Sequence, residues 1–161
     1  YVIFLLPARS EIEMQIRKMN ISDKKEVLAM MSEFYASPAL LHHSPAHILE
    51  KDFDDCVSDL PFAEGYVFIK GDRIAGYSII SKGYSTEYGG ISIMIEDLFV
   101  KSEYRGQGIG KQYFDYIEKA YRDIAVRIRL EVEPANFGAI KLYEKCGYEN
   151  LPYKQMTKEL L

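Results

Sequence analysis

Apolar and polar residues change their spacing several times along this chain, and each change marks an element. Val27, Leu28, Met31, Phe34 and Tyr35 return at helical intervals, which predicts one apolar helix face. Ser22 stands ahead of them as an N-cap, with Asp23 in the first turn, where a carboxylate favours the helix dipole. The helix should end near Ser37-Pro38, because a residue before proline is pushed out of helical conformation. Ser44-Pro45 reads as the N-cap and first residue of a second helix, 45–59, whose stripe is Ile48, Leu49, Phe53, Cys56 and Val57.

Elsewhere the period falls to two. Met14 to Met19 alternates imperfectly, a short strand. Tyr66–Ile69 and Ile74–Ile80 flank Lys70-Gly71-Asp72-Arg73, a hairpin turn, and a polar connection from Tyr84 to Gly90 leads to the strand Ile91–Val100. A third helix opens at Gly108, with Ile109, Tyr113, Phe114, Ile117 and Tyr121 inward and Lys111, Asp115, Glu118 and Arg122 in water. Val126, Ile128, Leu130 and Val132 then alternate with Arg127, Arg129 and Glu131, a strand with one buried face. A fourth helix, 137–146, stops at Gly147 by position, and Tyr153–Lys158 can add a last strand. The order β-α-α-β-β-β-α-β-α-β predicts an α/β (α+β) domain, a mixed sheet with helices on both faces.

The 161 residues suit one domain, taken as 14–161. Residues 1–13 read as an N-terminal extension or an expression remnant: Tyr1–Leu6 is apolar but far short of the ~20 residues that span a bilayer. It also lacks the basic leader and cleavage site of a signal peptide. A net charge of −4 argues against nucleic-acid and anionic-membrane partners. The two cysteines, Cys56 and Cys146, fit a reducing compartment, and a cytoplasmic location is expected.

Candidate chemistry concentrates at Arg105-Gly-Gln-Gly-Ile-Gly-Lys111, between a strand and a helix. Alternate glycines leave N–H groups uncovered at the positive end of a helix dipole, an anion site suited to a phosphate or pyrophosphate. Arg105 and Lys111 add positive charge on either side. The loop is neither a P-loop, being one residue short with Gln112 where a hydroxyl should stand, nor the G-x-G-x-x-G of dinucleotide folds. About thirty residues on comes Asn136-x-x-Ala139-x-x-x-Tyr143-x-x-x-Gly147-Tyr148. Together, in this order and spacing, the two motifs resemble the GNAT superfamily of acyl-CoA N-acyltransferases.

That resemblance implies a central twisted mixed sheet of 6–7 strands splayed around acetyl-CoA, the co-substrate, with no metal. It implies that the backbone of Leu98, Phe99 and Val100 pairs with the pantetheine arm. Arg105, Gly106, Gln107, Gly108, Ile109, Gly110 and Lys111 would hold the pyrophosphate, and Asn136 and Ala139 would also meet the cofactor. Tyr143 would be the general acid that protonates the leaving thiolate, although its place on the apolar stripe of the fourth helix is equally that of a packing residue. The resemblance also implies a homodimer, against which the charged alternate face of 125–132 argues.

Glu96-Asp97 interrupts an apolar strand, where carboxylates are seldom placed without a partner or a task. By alternation Glu96 shares a face with Met94, Leu98 and Val100, and Asp97 takes the other. An ammonium acceptor must lose a proton before attack, and Glu96 is the candidate base. Ile95-Glu-Asp-Leu-Phe-Val100 resembles the diamine (spermidine-type) acetyltransferase branch, in which a glutamate at this position faces the substrate. Asp52, Asp54, Asp55 and Asp59 are either a wet helix face or an acidic funnel for a polyamine. His42, His43 and His47 read as a surface cluster, Cys146 as a buried thiol, and Lys145 as a solvated lysine or a phosphate contact. The expected activity is acetyl transfer from acetyl-CoA to a primary amine of a small molecule, a diamine or polyamine among the candidates. The alternatives are a protein N-terminal, lysine or antibiotic acetyltransferase and a CoA-binding module without catalysis.

Overall fold

β-Branched and aromatic residues crowd the stretch from 63 to 100, and they build an antiparallel meander. In the computed structural model, which describes residues 14–37 and 44–160, the strands are β1 (Met14–Lys18), β2 (Ala63–Lys70), β3 (Arg73–Ser85), β4 (Gly90–Val100) and β5 (Ala125–Leu130). The helices are α1 (Lys24–Tyr35), α2 (Ala46–Cys56), α3 (Ile109–Tyr121) and α4 (Phe137–Lys145). The strands lie in sequence order in one five-stranded sheet, antiparallel from β1 to β4. β5 returns parallel to β4, because α3 carries the chain back across the sheet.

The two faces are covered separately. Val27 and Met31 of α1 and Phe53 of α2 pack with Val67, Tyr77 and Phe99 on one face. On the other, Tyr113, Phe114 and Ile117 of α3 pack with Tyr66, Phe68, Ile80 and Ile93, and Leu142 and Tyr143 of α4 lie against this core. This is the mixed sheet with helices on both faces that the periodicity predicts.

Three expectations are corrected. Among the described residues the sheet has five strands, not 6–7: Tyr153–Lys158 forms no strand. Its apolar residues, Tyr153 and Met156, are three apart, so no face of a strand could bury both, and they are 68% and 96% exposed. Ser22 does not cap α1. Asn20 caps a 3-10 turn, Ile21–Asp23, accepting from the Ser22 N–H at 3.0 Å, while Asp23 accepts from the Asn20 N–H at 2.9 Å. Asp23 is also held by Arg17 at 2.7 Å, so the turn is locked before α1 begins at Lys24. The expected polar connection from Tyr84 to Gly90 shrinks to a short turn, because β3 and β4 stay paired out to Ser85↔Gly90. Residues 1–13, His42 and His43 lie outside the described residues. Among the described residues no helix is long and apolar enough to cross a membrane.

Candidate active site

A register slip in the middle of the sheet shapes the site. Ile79 stands opposite Asp97 but Ile80 stands opposite Ile95, which leaves Glu96 as an extra residue in β4. Such a bulge bends and twists its strand. Parallel pairing with β5 stops just before it, at Ile95↔Leu130. From Glu96 to Val100, β4 is therefore paired with β3 alone, and its other edge offers unpaired N–H and C=O groups to an extended ligand. Leu98, Phe99 and Val100 occupy that edge.

The bulge also overturns the expected facing of Glu96. Leu98 and Val100 join Ile93 and Ile95 on the α3 face. Glu96 lines a groove with Ser81 and Met94, exposed, and accepts from the Ser81 hydroxyl. It is thus a solvated carboxylate rather than the half-desolvated one the apolar strand suggested.

Its neighbour Asp97 is the buried acid, 3% exposed. Tyr35 donates to its Oδ1 at 3.0 Å and Tyr77 to its Oδ2 at 3.0 Å, while Ser78 Oγ donates to its carbonyl oxygen at 2.7 Å. Burial raises its pKa against the two phenols that lower it, and the charges of Asp52 and Glu96 add to the rise, to about 6. Sequence reasoning passed over Asp97. The signal was the carboxylate pair itself, but only the bulge decides which member is buried.

Beyond Val100 the chain makes a 3-10 turn, Ser102–Tyr104, and then the glycine loop. Arg105 folds back, donating from Nε to the Val100 carbonyl at 2.8 Å and lying 5.7 Å from the centre of the Phe99 ring. Gly106 and Gly108 adopt φ of 73° and 80°, a left-handed conformation that side chains resist. The first helical bond of α3 is Gln112 N–H to Gly108 C=O at 3.0 Å. Among the described residues, none of the N–H groups from Gly106 to Lys111 finds an acceptor. They form a concavity of donors at a helix N-terminus, suited to an anion. Lys111 contributes less charge than expected, since Asp115 holds it at 2.6 Å. Lys70 instead reaches the loop, donating to Gln107; the β2–β3 turn brings it there, and no local pattern foretold it.

The second motif lies against the first. A methyl group added at Gly110 would stand 2.7 Å from Leu142 Cδ2, so α4 leans on the first turn of α3. Asn136 caps α4, its Oδ1 accepting from the Ala139 N–H at 3.2 Å. Tyr143 is half-buried, with its ring 5.5 Å from that of Phe114 and 6.3 Å from that of Tyr148. Burial raises its pKa, which keeps the phenol protonated as an acid must be. It borders a groove of about 820 Å³ beneath β5, and Glu96 borders one of about 610 Å³ on the other side. Glu96 and Tyr143 thus reach the end of β5 from opposite faces of the sheet.

The helix-two acids do not act together. Asp54 is paired with Lys24 and Asp55 with Lys51, each at 2.5 Å, and Asp59 is exposed. Asp52, half-buried, has no ion pair among the described residues, and burial raises its pKa. Of the remaining candidates, His47 is exposed, and burial raises the Cys146 thiol and pushes that of Cys56 up to about 12. These thiols are poor nucleophiles.

Comparisons with known proteins meet this geometry. Residues 27–148 match the model of the acetyltransferase (GNAT) family. The thialysine N-epsilon-acetyltransferases of Bos taurus and Sus scrofa are each 36% identical over 83 residues, 51% of this chain and 48% of theirs. The chain therefore spans about half the length of these curated relatives. A crystal structure of "a possible acetyltransferase from Clostridium difficile 630" superposes with a TM-score of 0.80 at 21% identity, covering 92% of this chain and 98% of that one. The aminoglycoside N-acetyltransferase AAC(6')-Iy in complex with CoA superposes with a TM-score of 0.78 at 16% identity, over 98% and 100% of the two chains. At these identities the structural likeness establishes the fold.

Proposed function

Because the chain belongs to the acetyltransferase (GNAT) family, we propose that it moves an acetyl group from acetyl-CoA to a primary amine of a small molecule. The observation that carries this reading is the continuity of the unclaimed donors. The open edge of β4 from Glu96 to Val100 runs into the free N–H groups of Gly106 to Lys111. An extended pantetheine arm ending in a pyrophosphate asks for that sequence of contacts. Lys70 and Arg105 add charge near the phosphates, and Asn136 and Ala139 border the same side from α4.

Acetyl-CoA supplies the activated acyl group, and this chain's residues manage the protons. Glu96 stands where the acceptor ammonium would release one, directly or through water, and Tyr143 stands below β5 where a leaving thiolate would receive one. Direct attack with both substrates bound needs no protein nucleophile, in keeping with the half-buried thiols, whose pKa values burial raises. The diamine reading rests on Ile95–Val100 and on three carboxylates, Asp52, Glu96 and Asp97, the charges of the first two acting on the third. It does not need the paired Asp54 and Asp55. The two free cysteines fit the cytoplasm.

Thiol release from acetyl-CoA, screened across amine classes, tests the reading. Release with at least one primary amine is expected. Tight acetyl-CoA binding without release for any amine would favour a CoA-binding module instead.

A further inference from the structure

Beyond α4 the chain passes from one groove to the other. Leu151 lines the groove that Tyr143 borders, Tyr153 and Gln155 line both, and Lys154 and Met156 line the one that holds Glu96. This strap belongs to no helix or strand. Among the described residues its backbone from 149 to 160 makes no hydrogen bond to other backbone. One side-chain bond ties it to the sheet: Tyr153 donates to Glu87 Oε1 at 3.3 Å, and Glu87, in the turn between β3 and β4, is held in turn by Arg127 at 3.0 Å. A segment tied so lightly opens and closes at low cost.

The strap sets an amine in the acceptor groove. Three basic side chains line it: Lys82, Arg129 and Lys154. Lys82 is paired with Glu64. The guanidinium of Arg129 stays protonated at any ordinary pH and offers no nucleophile. Lys154 is exposed, with no ion pair and no hydrogen bond among the described residues. Of the three, its ammonium is the one free to lose a proton and attack. The carboxylates that line the groove are uncommitted as well. Glu96 accepts from the Ser81 hydroxyl but pairs with no cation, and Glu131 has no partner among the described residues. Two free carboxylates draw a free ammonium toward them. The tether keeps that amine at a roughly millimolar effective concentration.

We propose that Lys154 is an acceptor built into the chain, a self-acetylation site that the enzyme modifies in its own groove. This rests on the acetyl-transfer reading of that groove. Glu96 takes a proton from the Lys154 ammonium, and the free amine attacks the thioester carbonyl of acetyl-CoA. A C–N bond forms and the C–S bond breaks. CoA leaves as the thiol with a proton from Tyr143, and the second proton lost by the nitrogen replaces the one Tyr143 gave. Acetylation removes the lysine charge, and with it the pull toward Glu96 and Glu131. The step therefore runs once per chain and ends with the groove free of an ammonium.

Incubation of the chain with acetyl-CoA alone, followed by peptide mass spectrometry, tests this. Lys154 should gain an acetyl group at least about tenfold faster than Lys158, an exposed lysine further along the same strap that lines neither groove. Its first-order rate constant should stay the same when the protein is diluted about tenfold, as transfer within one molecule requires. Glu96→Gln should bring Lys154 down to the Lys158 rate, with acetyl-CoA affinity unchanged. Equal labelling of the two lysines in the wild type, or a Lys154 rate constant that rises with protein concentration, overturns the proposal. A parallel assay with small amines keeps the two readings apart. Thiol release with a primary amine, while Lys154 is labelled no faster than Lys158, ends self-acetylation and leaves the enzyme reading standing. Acetyl-CoA binding with neither release nor labelling overturns both.

Discussion

Tyr35, in the last turn of α1, donates its hydroxyl to Asp97 Oδ1 at 3.0 Å, across 62 residues of sequence. The bond ties the first helix to the bulge of β4. Tyr77 closes the other carboxylate oxygen from β3 at 3.0 Å. A buried acid held by two neutral phenols, with no cation beside it among the described residues, is satisfied in hydrogen bonding but not in charge.

The first prediction follows from that imbalance. Burial pushes the Asp97 carboxyl up to about 6 in the folded protein, from an ordinary value of 3.8. Between those values the folded state keeps a proton that the unfolded state has lost. Stability therefore falls as pH rises through the window, by about 3 kcal/mol in all. Asp97→Asn lacks this slope. Urea unfolding at pH 4 and pH 7 should show the variant gaining on the wild type by roughly that amount. Glu64 works in the opposite sense: burial would raise its pKa, but Lys82, Tyr121, Tyr66 and Lys18 hold it at about 2. Its contribution is lost below about pH 4.5 in both proteins and cancels in the difference. Parallel curves for wild type and variant would show that Asp97 is not perturbed.

The glycine loop separates binding from folding. A methyl group at Gly108 meets nothing nearer than Gln112 Nε2 at 3.9 Å, so Gly108→Ala costs only the left-handed strain, about 1–2 kcal/mol. That methyl would occupy the concavity reserved for phosphate, and acetyl-CoA affinity should fall at least about tenfold. Gly110→Ala should instead loosen the α3–α4 contact at Leu142. Calorimetry decides the matter; undiminished affinity in folded Gly108→Ala would remove the loop as the anion site.

Tyr143→Phe removes a hydroxyl that has no partner among the described residues and keeps the ring against Phe114. Stability should change by less than about 1 kcal/mol. Turnover should fall by roughly ten- to a thousandfold, with acetyl-CoA binding retained. Full activity would reduce Tyr143 to a packing residue.

The carboxylates should divide by role. Glu96→Gln should lower kcat by about 100-fold or more and flatten the rise of activity with pH. Asp52→Asn should mainly raise KM for a cationic acceptor, an effect that fades with added salt. Asp54→Asn and Asp55→Asn should leave KM unchanged, since Lys24 and Lys51 already hold those charges. Steady-state kinetics at two ionic strengths separates these outcomes, and equal effects from all three aspartates would restore the acidic funnel.

The five strands, the four helices and the glycine loop ahead of α3 were legible in the sequence because each depends on neighbours within a few residues. Period two and period 3.6 announce the buried faces, and alternate glycines announce uncovered N–H groups. The spacing of Asn136, Ala139 and Tyr143 marked a second motif, whose helix the structure packs against the first turn of α3 at Gly110 and Leu142. The tertiary structure alone decided what the carboxylates and cations do. A one-residue slip between β3 and β4 breaks the alternation on which the facing of Glu96 was judged, since register depends on a partner strand and not on the strand itself. The burial of Asp97 needs Tyr35 and Tyr77 from two other elements, and the arrival of Lys70 at the loop needs the β2–β3 turn.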